Sequence, residues 1–338
     1  MRELHEMGEL YQIKGEDSDI RENSILSADP ELLNILLVDR TTGRNIFWAT
    51  NDYSPKGDGF YYNDEITPGK ITGENGMLIM PRVLKEKQLQ LARVREKAEV
   101  FTPSWICNAQ NNLVDGAWFG RENVFNKEII ENGFHSWIVT EDKITFPKGK
   151  TWKAYVKSTR LEITCGEAPY LVSRYDTTTG DYIPVRQRIG LLDRKLRIVG
   201  ENTSMPEEWK EWAIIAFKNT YGYEWQGDNL LLAREALLFT YVDFYADKFQ
   251  KMPYIDDLKE VAGIISWNIW QMDGLKGVVP DSCHDIVPNY NLFDFEESEL
   301  SPCPGCHKNS LYEHNGQYCM IMDWEKEEPI RYITLIKR

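Results

Sequence analysis

The chain has 338 residues, 42% hydrophobic and 27% charged, enough for one large globular domain or two of ordinary size. No run approaches the ~18 apolar residues of a membrane span, and the acidic start Met1-Arg2-Glu3-Leu4-His5-Glu6 lacks the order of a secretory leader, so we expect a cytoplasmic protein with no membrane partner. A net charge of −14 argues against nucleic-acid binding by the surface as a whole, which draws on clustered Lys and Arg.

Residues 1–30 read as a polar arm. Ile35–Arg40 and Asn45–Ala49 flank Thr41-Thr42-Gly43-Arg44 and predict a hairpin. A short strand is expected near Met77–Met80. Residues 83–98 are rich in helix formers and form the most basic stretch, with Lys85, Lys87, Arg93, Arg95 and Lys97 facing either phosphates or, more simply, solvent. From residue 99 the pattern alternates. A strand ends near Ile163, residues 207–218 are an amphipathic helix, Thr220–Trp225 a strand, 229–250 and 256–266 helices, and Asn268–Met272 a buried strand. Strands alternating with helices predict an α/β fold with a doubly wound, mostly parallel sheet. The expected organisation is an N-terminal extension over 1–97, a core over 98–299 with an insert at 173–219, and a small Cys/His module over 300–338.

Four stretches carry candidate chemistry. Leu161-Glu162-Ile163-Thr164-Cys165-Gly166-Glu167-Ala168-Pro169-Tyr170-Leu171 is a strand ending in an acid, then a small-residue turn and a helix start. Such a turn brings backbone N–H groups close to a ligand; the plainer reading is a buried strand end with a core cysteine. In Tyr221-Gly222-Tyr223-Glu224-Trp225-Gln226, Glu224 at a strand end is placed to bind both hydroxyls of a ribose, or else caps the next helix. Asp273, past the strand Asn268–Met272, could accept a bond from an adenine amino group, or simply hold the turn before Gly274. Phe101-Thr102-Pro103 could offer an aromatic face and N–H donors, although Pro103 is equally a good first residue of a helix.

Together, and in this order, Glu99–Pro103, Glu162–Leu171, Tyr221–Gln226 and Asn268–Leu275 resemble the cofactor motifs of S-adenosylmethionine-dependent DNA adenine-N6 methyltransferases, and the chain resembles proteins labelled restriction endonuclease subunit M. The resemblance covers about residues 98–275. It implies a Rossmann-like methyltransferase fold that cradles S-adenosylmethionine with Phe101, Thr102, Pro103, Glu162, Cys165, Gly166, Ala168, Glu224 and Asp273. It also implies methyl transfer to DNA within a restriction–modification system, with a partner subunit supplying target recognition and with hetero- or homo-oligomers compatible.

Three departures stand against the family pattern. Glu167 and Ala168 replace a small residue and a glycine. The segment Ser173–Asn219, with its Thr177-Thr178-Thr179-Gly180 turn and basic Arg186–Arg197 stretch, is a long insert, read as a surface excursion in preference to a docking element. The catalytic tetrapeptide (Asn, Asp or Ser, then Pro-Pro, then an aromatic), which receives the flipped adenine, is missing, because the chain contains no Pro-Pro pair. A diverged acceptor near Asp281 or Asn289 has no assignable role. The chain after Asp273 is short for the rest of such a sheet plus a target-recognition domain, so the N-terminal hairpin region or a partner would complete the fold. A non-catalytic scaffold with a structural zinc is the competing reading.

Six cysteines in such a chain read as thiols or metal ligands, not as a disulfide framework. Cys303-Pro304-Gly305-Cys306, followed by His314 and Cys319, could bind zinc tetrahedrally, against free thiols in a turn. Cys303, Cys306, His314 and Cys319 are the expected ligands, and Cys283-His284 could replace part of the set.

Overall fold

The computed structural model describes residues 22–85, 102–286 and 300–336. It opens with helices α1 (Glu22–Ala28) and α2 (Pro30–Leu37). Asp29 caps α2, its Oδ1 accepting the N–H of Glu31 at 2.7 Å and of Leu32 at 3.3 Å, and Pro30 stands at the first helical position, where no N–H is needed. Ile35-Leu36-Leu37 is therefore the last turn of a helix and not a hairpin strand. Leu32, Leu33, Leu36 and Leu37 recur at helical spacing and are all buried. What remains of the expected hairpin is a tight turn, with Val38 and Asn45 bridged antiparallel. Met77–Met80 forms turns and no strand; a short apolar run with no neighbouring strand to pair with buries Ile79 in the core instead. Of the expected helix at 83–98, Arg82–Leu84 is a single 3-10 turn, and residues 86–98 lie outside the described residues.

The alternation from residue 99 onward is present. Helix α3 (Ser104–Phe119) is followed by the antiparallel hairpin β1 (Asn126–Glu131) and β2 (Phe134–Val139). Helix α4 (Trp152–Val156) leads into β3 (Arg160–Glu162). Then come α5 (Leu191–Asn202), α6 (Pro206–Lys218), β4 (Thr220–Glu224), α7 (Gly227–Phe249), α8 (Ile255–Asn268) and β5 (Ile269–Gln271). Strands β3, β4 and β5 are parallel and adjacent in that order, with Glu162 opposite Gly222 and Glu224 opposite Gln271. Helices carry the chain back between them, as parallel pairing requires. The strand order follows the sequence without the reversal that defines a doubly wound sheet. Among the described residues the architecture is a mixed α/β fold around a three-stranded parallel sheet.

Residues 173–219 are not a surface excursion. Leu192, Leu196 and Val199 of α5 and Trp209, Ala213 and Phe217 of α6 belong to the main core. The charges that make α5 look solvated point inward: Arg194, fully buried, donates to Asp115 at 2.6 Å and to Asn108 and Asn112 at 2.9 Å, tying α5 to α3. Helix α7 is buried on nearly every face, its charged residues Asp228, Arg234, Glu235 and Asp243 included.

Among the charged residues that α7 buries is Arg234, which no solvent reaches. Its guanidinium donates to four carbonyls: Leu36 at 2.6 Å, Ile269 at 2.8 Å, Val38 at 2.9 Å and Ser266 at 3.3 Å. Burial draws its pKa down to about 10, against the field of Asp39, which leaves it charged at neutral pH. One side chain thus joins α2, the end of α8 and β5. The C-terminal part adds α9 (Pro304–Lys308) and the hairpin β6 (Met320–Asp323) and β7 (Glu328–Arg331). It packs on the sheet through a second cluster of Tyr223, Trp270, Met272, Val279, Cys319 and Ile321. Among the described residues no helix is long and apolar enough to cross a membrane.

Replacing Arg234 by Met keeps the volume but strands these buried carbonyls. A loss of about 3–5 kcal/mol is expected in urea denaturation; a loss below about 1 kcal/mol would show that Arg234 is not the brace described.

Candidate functional site

A cleft of about 1220 Å³ opens beyond the C-terminal ends of β3 and β4, the edge at which open parallel sheets bind ligands. Glu162 and Glu224 both line it. Register explains why: Glu162 sits opposite Gly222, two residues before Glu224, and residues two apart on a strand share a face. The two carboxyl groups therefore converge on one side of the sheet edge.

The loop between β3 and the following turn is held by these two acids. Glu162 accepts the N–H of Leu171 at 3.2 Å and of Tyr170 at 3.4 Å. Glu224 accepts the N–H of Gly166 at 2.9 Å and of Gln226 at 3.2 Å. Cys165 extends the β3–β4 pairing, its N–H on the Tyr223 carbonyl at 2.8 Å. Burial pushes both carboxyls above the usual carboxylate range, Glu162 furthest. The backbone N–H bonds pull the other way, and the field of Glu224 adds to the rise at Glu162.

The loop is backbone-strained. Thr164, Gly166 and Ala168 have φ of 47°, 55° and 61°, the left-handed region that only glycine enters without cost. Gly166 is therefore at home. Ala168, fully buried, and Thr164, exposed and β-branched, are not. Across the cleft Ala49 is also left-handed, at φ 50°. Strain of this kind persists where the surroundings over-determine it, and it concentrates at functional sites.

The other expected positions divide. Thr102, Cys165 and Gly166 line the cleft. Ala168 sits in the loop behind it, and Pro103 caps α3 without reaching the wall. Phe101 lies outside the described residues, as does Asn289. Asp273 is away from the cleft: its Oδ1 accepts the N–H of Leu275 at 3.0 Å and of Lys276 at 3.2 Å, and Lys276 Nζ lies 3.1 Å from its Oδ2. These bonds belong to a turn. The wall that sequence patterns miss comes from the N-terminal part, Ala49–Asp52 and Tyr62. This segment reaches the sheet edge because Gln271 takes the place of a neighbouring strand, accepting the Phe47 N–H at 3.1 Å and donating to the Phe47 carbonyl at 2.9 Å.

A second constellation lies in the C-terminal part. Cys283, Cys303, Cys306 and His314 bring their ligand atoms within 4.8 Å of one another, and the cluster could hold a metal ion. The three sulfurs lie 3.6, 3.7 and 3.7 Å from His314 Nδ1. Tetrahedral zinc with bonds of 2.0–2.3 Å requires a separation of about 3.6 Å. Gly305, inside the Cys-Pro-Gly-Cys turn, is required by the histidine: a Cβ there would stand 2.5 Å from His314 Nδ1. Burial works against ionising Cys303, but N–H groups of Asn315, Cys306 and Gly305 and the His314 ring bring its pKa down to about 6, favouring the thiolate a metal needs. The fourth member of the cluster is Cys283 and not Cys319. Cys319 is fully buried on the far side, its thiol donating to the Gln271 carbonyl at 3.4 Å.

Two outcomes check these geometries. Cys283→Ser should abolish stoichiometric zinc in metal analysis of purified protein and Cys319→Ser should retain it; the reverse pattern would restore Cys319 as the ligand. Thr164→Gly should raise stability by about 1 kcal/mol by relieving a left-handed β-branched residue, a few degrees in the melting temperature, whereas a lower midpoint would mean the loop is not strained at that position. Comparison with protein-family models, with curated proteins and with solved structures finds no match to this chain.

Proposed function

We propose that the cleft binds S-adenosylmethionine and that the protein transfers its methyl group to an amine, with adenine in DNA as the expected acceptor. The observation that carries this reading is the convergence of Glu162 and Glu224 on one cleft at the C-terminal edge of adjacent parallel strands. The residues suit a nucleoside. Glu224 stands at the end of β4, where a carboxylate meets ribose hydroxyls, in bonds of ~1.5–3 kcal/mol each. Glu162 keeps the loop in shape by holding Tyr170 and Leu171. The volume exceeds that of an ordinary small-molecule pocket, leaving room for an acceptor group beside the cofactor.

Bound S-adenosylmethionine supplies an electrophilic methyl carbon on sulfur. The chain contributes position: a carboxylate for the ribose, a backbone loop against the remainder and a wall from Ala49–Asp52 facing the acceptor, so that the amine and the methyl meet in line. The Cys283, Cys303, Cys306 and His314 cluster has the donor set of a structural zinc, all protein ligands with none left open.

A second reading is favoured by one fact. With no Pro-Pro pair in the sequence, the usual receptor of a flipped adenine is missing, which suits a cofactor-binding scaffold without transfer activity.

Titration calorimetry with S-adenosylmethionine should give micromolar binding, and Glu224→Ala should weaken it about tenfold or more. Absence of heat at micromolar concentrations would remove the methyltransferase reading, and unchanged affinity in the variant would remove Glu224 from the ribose. Tritiated-methyl transfer to mixed DNA, RNA and protein then separates the enzyme, which labels one of them, from the scaffold, which binds and labels none.

A further inference from the structure

We propose that Tyr62 is a positioning residue of the cleft, and that a metal ion in the Cys283, Cys303, Cys306 and His314 centre holds it in place through Asp281. Tyr62 and Trp225 both line the cleft. The Tyr62 hydroxyl donates to Asp281 Oδ2 at 2.6 Å and accepts from Trp225 Nε1 at 3.0 Å. The Tyr62 carbonyl accepts the N–H of Ala49 at 2.9 Å, so the same residue fixes the strained wall opposite the loop and the indole next to Glu224. Asp281, which holds the hydroxyl, comes from neither wall. It is left-handed at φ 53°, two residues before Cys283 in the chain.

Ser282 also bonds the Val279 carbonyl through its N–H at 3.1 Å and its Oγ at 2.7 Å, and residues 282–284 have three ties to a more distant segment. Ser282 Oγ accepts the Gln317 N–H at 3.0 Å, and His284 and Asn315 exchange bonds at 2.6 and 3.2 Å. All three run to the loop that also carries His314. The centre draws its ligands from three places in the chain, Cys283, the Cys303–Cys306 turn and His314, so metal binding clamps the segment with Asp281 onto the rest of the C-terminal part. That part is itself held to β5 by the Cys319 thiol on the Gln271 carbonyl at 3.4 Å and to the N-terminal turn by Gln317 Nε2 on the Thr41 carbonyl at 3.0 Å. Removing the metal takes away the bond that fixes Cys283 and leaves the Asp281 segment to the hydrogen bonds of Ser282 and His284 alone, while its anchor stays in place. The first element of the cleft to feel this is the Tyr62 hydroxyl. Its ring then loses its register against Trp225.

Only the ligand-affinity part of the test rests on reading the cleft as a nucleoside site. Protein labelled with 5-fluorotryptophan gives a fluorine resonance for each indole, and Trp225→Phe assigns the Trp225 line. Stripping zinc with a chelator should move that line and restoring zinc should return it. Asp281→Gly, which tolerates the left-handed backbone while deleting the carboxylate, should keep its zinc yet show the Trp225 line displaced and indifferent to chelation; Tyr62→Phe should do the same. Affinity for S-adenosylhomocysteine should fall about fivefold or more in stripped protein and in both variants. A Trp225 line that stays put when zinc leaves overturns the proposal, as does an Asp281→Gly protein that responds like the parent or a parent that takes up no zinc. If S-adenosylhomocysteine binds no form at all, the nucleoside reading fails and the fluorine spectra still decide the role of Tyr62.

Discussion

Everything at the cleft depends on two buried carboxylates that backbone N–H groups keep at the end of a parallel sheet. Burying a carboxylate costs several kcal/mol unless hydrogen bonds replace its water. N–H groups offset part of that cost: Tyr170 and Leu171 of the loop for Glu162, Gly166 of the loop and Gln226 just past β4 for Glu224. The acids shape the loop and the loop satisfies the acids. The left-handed residues Thr164, Gly166 and Ala168 follow from this arrangement, since the chain must turn sharply to aim its N–H groups back at the strand ends.

The rest of the fold brings distant segments to that edge. Arg234 ties the N-terminal helix α2 to β5 through carbonyls alone, and Gln271 holds Phe47 at the sheet edge in place of a strand. The wall from Ala49 to Tyr62 is thereby placed over the cleft, although the whole stretch between Tyr62 and Glu162 separates it from the acids. The Cys/His centre stands one short hydrogen-bonded path from the same wall, through Asp281. The 163–171 loop, the N-terminal wall and the Cys/His part are thus three pieces of one constraint.

The alternation between residues 207 and 272 is legible in the sequence because its helices are long and its strands short. Glu162 ends the strand before that alternation, and the parallel register of β3 on β4 brings it beside Glu224. Short apolar runs are where sequence reasoning fails. Ile35-Leu36-Leu37 suits a strand or a helix equally, and what decides is the Asp29-Pro30 cap two turns earlier. Arg194 and Lys195 make residues 191–202 look solvated, yet Asp115, Asn108 and the Asn219 carbonyl meet them in the interior. Spacing brings Cys319 into the metal set, while β6 turns its thiol toward β5 and leaves Cys283, far upstream, to complete the cluster. The N-terminal wall carries no motif, because its place depends on bonds to a glutamine side chain that no local pattern encodes.

A crystal structure grown with S-adenosylhomocysteine decides whether the two acids make a nucleoside site. The nucleoside should lie between the loop at 163–167 and the wall at 49–52, its ribose hydroxyls on the Glu224 carboxylate. A ligand bound elsewhere, or a cleft still empty at saturating concentration, would contradict that reading.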